Sequence, residues 1–141
     1  IGAATVMSWI LTQSGLSNII VSTMRGMPGG TFSFIALSIV IFILLGSALE
    51  GIPAIVLLGP LLFPVARSLG LNDVHYAMIM MLAMGIGLFL PPIGVGFYAA
   101  CAIGQVDPSR ALAKTWVPLA ALLVALIVVA AVPEITTFLI D

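Results

Sequence analysis

The stretch Gly85-Ile-Gly-Leu-Phe-Leu-Pro-Pro-Ile-Gly-Val-Gly96 decides how this chain folds. It sits inside a run, Tyr76 to Ile103, that carries no charged residue. Such a run reads as helix, yet glycines at 85, 87, 94 and 96 and two adjacent prolines interrupt it. Pro91 and Pro92 have no N–H and cannot donate to the carbonyls of Gly87 and Leu88. Leu90 is pushed out of helical geometry because a proline follows it. The helix from Tyr76 is therefore expected to stop near Leu88. A second helix is expected to open at Pro91 or Pro92, with the amides of Ile93 and Gly94 at its start. The break sets a partly negative carbonyl end against a partly positive amide end, and its glycines let an ion or another backbone come close.

What solvent surrounds that break follows from composition. The chain is 62% hydrophobic and 6% charged, with a mean hydropathy of +1.35. Soluble domains carry roughly 25% charged residues, so a bilayer is the solvent that fits. A bilayer admits helices or closed barrels, and the apolar runs lack the alternation of barrel strands. A net charge of −1 gives no basic patch for nucleic acid. Cys101 is alone and reads as a packing residue. The opening at Ile1, already apolar and without a basic leader, reads as the C-terminal piece of a longer membrane protein.

Working outward, residues 1–12 read as the end of a transmembrane helix and 17–24 as an interfacial connector. Residues 32–49 are long enough to cross a hydrocarbon core of roughly 30 Å. The segment 51–66 is apolar but holds Pro53, Pro60 and Pro64, and Gly59-Pro60 is a turn signal. It reads as a re-entrant helical hairpin, tolerated where protein or a watery cavity covers its tip. A polar loop follows, in which Asn72 or Asp73 can cap the next helix. Then come the broken transmembrane element 76–103, a polar loop over 104–114 and a final transmembrane helix over 115–139. Arg110 and Lys114, with Arg25, orient the set with both their loops in the cytoplasm and the C-terminus outside.

Broken half-helices near the midplane are how many secondary transporters build their sites. On that logic the carbonyls at Gly87 and Leu88, the kink at Pro91 and the hydroxyl of Ser47 are candidates for holding a cation. Gly59, Pro60, Ile93 and Gly94 are candidates for meeting an anionic solute. A plain proline kink mended by a neighbouring helix is the alternative; two breaks in one short chain favour the functional reading. Glu50 and His75 read as interfacial groups, Trp9 and Trp116 as interface anchors, and Met78, Met80, Met81 and Met84 as gap fillers. No HExxH pair, GxSxG elbow or cluster of intramembrane carboxylates is present, so an enzyme is not expected.

The segments 44–80 and 85–104, with the closing WVPLAALLVALIVVAAVPEITTFL, resemble the large membrane subunit of TRAP transporters, the DctM-like permeases. The resemblance implies an all-α membrane protein, with transmembrane helices, a re-entrant hairpin and a discontinuous helix, forming one half of an inverted-repeat transporter. It implies sodium-coupled, elevator-type import of organic anions, of the dicarboxylate or sugar-acid class, across a bacterial or archaeal inner membrane. The partners implied are a small membrane subunit and a periplasmic binding protein, with Na+ as coupling ion and no other cofactor. It places Gly59-Pro60 at the hairpin tip and Gly87, Pro91, Pro92 and Gly94 beside a sodium site. Many members carry Thr before the proline pair; here Leu90 stands there, so an ion must use backbone carbonyls or another side chain. The alternatives are a proton- or sodium-coupled transporter without a binding protein, and a structural membrane subunit that carries no solute.

Overall fold

The computed structural model describes residues 29–48 and 51–138 as continuous stretches, with isolated positions before them. The expected helix end over 1–12 and the connector over 17–24 lie outside those stretches, as does Glu50. All regular structure among the described residues is helical: α1 (Gly30–Ala48), α2 (Gly51–Ser68), α3 (Asp73–Phe89), α4 (Val95–Gly104), α5 (Pro108–Ala131) and α6 (Glu134–Thr137). Two of these, α1 and α5, are long and apolar enough to cross a membrane.

Local chemistry sets the boundaries. The α1 sequence has no charge and no proline through 19 residues, a length of about 28 Å at the helical rise. Asn72 caps α3 by accepting the Val74 amide at 2.9 Å. Asp107 caps α5 by accepting the Ser109 amide at 2.8 Å, with Pro108 in the first helical turn. The last helix therefore begins about two turns earlier than expected, inside the charged segment. It stops at Ala131 because Pro133 disfavours helical geometry at Val132.

Specific contacts fix the direction of each helix. Thr31, at the start of α1, donates to the Leu69 carbonyl, just past the end of α2. The middles of the two helices share an apolar cavity of about 250 Å³, with Ser38 facing Leu58 and Leu62 across it. So α1 and α2 run antiparallel along their whole length. Tyr76, near the start of α3, donates to Ser38 at 3.0 Å and stacks on Phe34 at 5.5 Å, while Phe63 of α2 meets the same ring edge-on. Ten residues on, the end of α3 meets the end of α1, so these two run parallel. Finally, His75 Nδ1 lies 2.9 Å from the Thr136 hydroxyl, and Phe89 shares a recess with Thr115. Helix α5 thus returns antiparallel to α3. The core these four helices enclose centres on Phe34, Phe42, Val65, Tyr76, Ile79 and Leu126.

Two expectations are corrected here. The hairpin placed over 51–66 is a single helix, and the chain does not turn at Gly59-Pro60. The fixed φ of proline is compatible with a helix; the penalty lies in the lost amide and the clash with the preceding residue. Gly59 has no Cβ to meet the Pro60 ring, and packing against α1 and α3 holds the remaining bonds. The second correction follows from the first. With α2 running the full length, the start of α1 and the start of α5 lie at opposite ends of the bundle. The start of α1 and the 104–114 loop therefore do not share an end of the bundle. His75 is 1% exposed, with its Nδ1 beside the Thr136 hydroxyl of α6.

Candidate functional site

The interruption falls at Leu90–Gly94, where the backbone leaves α3 and re-enters helix at Val95. Leu90 is extended (φ −74°, ψ 113°), and its amide closes the last turn onto the Gly87 carbonyl at 3.0 Å. Gly94 then donates to the Leu90 carbonyl at 2.8 Å and starts α4. Pro92 occupies the position whose amide would have served the Leu88 carbonyl, so that oxygen has no helical partner. It points at Gly94 and Gly96 instead: a methyl on Gly94 would come within 2.5 Å of it. Glycine is required there because two backbones meet, not because the turn needs an unusual φ.

A second glycine pair fixes where the interruption sits. A methyl on Gly87 would fall 2.3 Å from the Ile43 carbonyl oxygen and 2.9 Å from the Ser47 amide nitrogen. Reciprocally, a methyl on Gly46 would fall 2.6 Å from the Met84 carbonyl oxygen. Helices α1 and α3 therefore cross backbone on backbone, the close approach that small residues permit within membranes. The break projects from α3 immediately beyond this crossing, level with the C-terminal end of α1.

The structure brings some of the expected site residues together and separates others. Ser47 and Gly87 meet at the crossing. Ser47 is 5% exposed, and its hydroxyl donates to the Leu44 carbonyl at 2.7 Å, leaving only its lone pairs for another group. Gly87 does not line an opening, because the backbone of α1 fills the space its missing side chain leaves. Leu88 and Gly94 meet across the break, Pro91 is buried, and Ile93 is 60% exposed at the tip. Gly59 and Pro60 lie elsewhere, in the middle of α2 near the level of Ser38. At the helical rise they are roughly 13 Å along the axis from the level of Ser47. The two expected breaks do not sit at one depth.

Tyr98 was not singled out by the sequence and belongs to the site. Its hydroxyl reaches back from the first turn of α4 to the Pro92 carbonyl at 2.8 Å, pinning the loop. The sequence carries no local signal for this contact: Tyr98 merely stands six residues beyond the second proline, one helical turn from Gly94. Taken together, the site offers neutral oxygens: the carbonyls of Leu88 and Phe89 at the α3 terminus, the Pro92 carbonyl and the Ser47 hydroxyl. No group of three or more His, Cys, Asp or Glu side chains able to hold a metal occurs among the described residues. Oxygen donors without charge suit a hard cation of low charge or an oriented dipole, not a transition metal.

Outside the bundle's apolar length, Arg67 clamps Asp73 through two guanidinium nitrogens, at 2.8 and 2.6 Å. This hydrogen bond holds the Asp73 carboxyl below its usual range, and the Ser109 hydroxyl and amide do the same for Asp107.

Residues 1–135 match the family model described as the tripartite ATP-independent periplasmic transporter, DctM component. Among similar proteins, the isethionate TRAP transporter permease protein DctMQ of Oleidesulfovibrio alaskensis is 29% identical over 96% of this chain and 21% of its own length. The sialic acid TRAP transporter large permease protein SiaM of Vibrio cholerae is 28% identical, over 96% of this chain and 32% of its own. The C4-dicarboxylate TRAP transporter large permease protein DctM of Pseudomonas aeruginosa is 29% identical over the same shares. The chain thus spans a third or less of the length of these relatives. No solved structure matches it. A match through 135 of 141 residues settles the family: the chain belongs to the DctM component of the tripartite ATP-independent periplasmic transporters.

Proposed function

We propose that this chain is the C-terminal repeat of a TRAP permease that imports a small organic anion with sodium across the inner membrane. A periplasmic binding protein delivers the solute, and a small membrane subunit completes the complex. The observation that carries the reading is the interruption at Leu90–Gly94 in a chain of this family. It leaves helix-terminal carbonyls and amides at the edge of an apolar bundle, where stranded polar groups cost several kcal/mol as an order of magnitude. An ion and an anion supply the missing partners.

On this reading sodium is held at the carbonyl terminus by Leu88 and its neighbours, with Ser47 contributing lone pairs and Gly87 and Pro91 shaping the turn. The solute meets the amide end at Ile93, the Gly94 amide being engaged by the Leu90 carbonyl. Gly59 and Pro60 lie in the middle of α2, away from this terminus. The relatives named for isethionate, sialic acid and C4-dicarboxylates all concern acids that are anionic at neutral pH, which favours that class here. The interlocked glycines make α1 and α3 one rigid piece, which suits an elevator-type movement carrying the break with them.

The test is uptake by the complete permease in proteoliposomes, with its small subunit and binding protein. Uptake of the organic acid is expected only with an inward sodium gradient and loaded binding protein. Uptake at the same rate without sodium, or without the binding protein, overturns the proposal.

A further inference from the structure

At the end of the bundle where α5 begins, Arg110 and Lys114 line one open recess of about 690 Å³ with Val106, Ala111, Thr115 and Pro118. They are one helical turn apart, so both side chains project over the same face. Of the chain's four Lys and Arg residues, Arg67 is paired with Asp73 and Arg25 lies outside the described residues. Neither the Arg110 nor the Lys114 side chain makes an ion pair or hydrogen bond among the described residues. The nearest acid in sequence, Asp107, accepts the hydroxyl and amide of Ser109 through Oδ1 and forms no ion pair with either cation among the described residues. Directly beyond the recess α5 becomes wholly uncharged, and Trp116 (53% exposed) and Val117 (75% exposed) face outward. Two cations without an ion-pair partner among the described residues therefore stand above an apolar floor at the point where the helix enters its apolar length.

We propose that this recess binds an anionic phospholipid. The phosphate sits between Arg110 and Lys114, and an acyl chain lies along Val106, Ala111 and Pro118. Charge complementarity selects the headgroup: a zwitterionic lipid brings its own cation against the pair, whereas phosphatidylglycerol does not. The apolar floor selects a lipid over free phosphate, which gains nothing from Ala111 or Pro118. The proposal needs α5 to enter a bilayer and does not depend on which solute or ion is transported.

The test uses the complete permease complex, delipidated and examined by native mass spectrometry with phosphatidylglycerol or phosphatidylcholine added. Wild-type protein is expected to retain phosphatidylglycerol in preference, with no displacement by millimolar inorganic phosphate. Removing charge weakens the preference by about fivefold per cation and roughly 25-fold in the double variant R110Q/K114Q. The exchange variant R110K/K114R keeps both charges and the preference, and R67Q at the opposite end changes nothing. An R110Q/K114Q protein that melts like wild type in phosphatidylcholine yet retains phosphatidylglycerol undiminished overturns the proposal. So does displacement by inorganic phosphate alone.

Discussion

Gly87→Ala is the substitution that the α1–α3 crossing judges most severely. The added methyl would lie 2.3 Å from the Ile43 carbonyl oxygen, 2.9 Å from the Ser47 amide nitrogen and 3.0 Å from the Gly46 carbonyl carbon. Ordinary contact begins near 3.4 Å, so the two helices must part by about 1 Å. Each clashing atom belongs to backbone, and no rotamer change can absorb the strain. Overpacking a tight interior costs about 1–3 kcal/mol, and a contact with no flexible partner belongs at the upper end. About 3 kcal/mol is roughly a 150-fold change in the folding equilibrium. Gly85, two residues earlier on the same helix, has nothing within 4 Å of its own added methyl. Gly85→Ala should therefore be neutral or stabilising by about 0.5–1 kcal/mol, through helix propensity alone. Steric-trap unfolding of the complete permease in bicelles measures both. Gly46→Ala meets the Met84 carbonyl oxygen at 2.6 Å and should act on the same gap. Once either methyl has separated the helices, the second costs less, so the double variant should lose clearly less than the sum. A Gly87→Ala protein as stable as Gly85→Ala, or strictly additive losses, would refute the crossing.

Other outcomes follow from the same structure. Tyr98→Phe removes the donor on the Pro92 carbonyl, a bond worth about 1 kcal/mol. In sodium titrations of uptake it should raise the half-saturating sodium concentration several-fold while leaving protein yield unchanged. Thr136→Val strands buried His75 at its Nδ1 and should cost about 1–3 kcal/mol in the same unfolding assay, whereas Thr137→Val should not. Gly59→Ala places its methyl 3.8 Å from Ile55 and Phe63, so uptake should survive it, and any loss of stability should come from the contact with the Pro60 ring alone. Acid stability turns on Asp73, whose carboxyl Arg67 holds below its ordinary 3.8. Its contribution is complete above that value and is lost as pH falls through the lower folded-state value. Melting temperatures between pH 2.5 and 6 should therefore fall less steeply for Asp73→Asn than for wild type.

Much of this architecture was written in residue type. An uncharged, proline-free α1 and the caps Asn72 and Asp107 announce themselves locally, as does the proline pair that ends α3. Pro60 shows where local signals fail. A proline within an apolar segment fits a turn or a bent helix equally well, and the decision rests on what packs alongside. In this fold, contacts of α2 along the length of α1 carry the helix through, and Gly59 relieves the ring. That long-range pairing also sets the starts of α1 and α5 at opposite ends of the bundle, which charges read in isolation do not show. Gly87 is a subtler case. Its place beside the break was legible, but only the structure shows that its missing side chain makes room for the α1 backbone. Tyr98 was missed because nothing in sequence tells that an exposed tyrosine reaches back over the turn preceding it.

The site itself is tested most directly at Ile93, the exposed residue at the tip of the interruption. In a Cys101→Ala background, the complete permease carrying Ile93→Cys is treated with a membrane-impermeant thiol reagent, with and without sodium and the organic acid. If the break faces the transport pathway, the thiol reacts, sodium slows the reaction, and sodium with the acid slows it further. A thiol that never reacts, or reacts at one rate whatever solutes are present, would contradict a transport site at Leu90–Gly94.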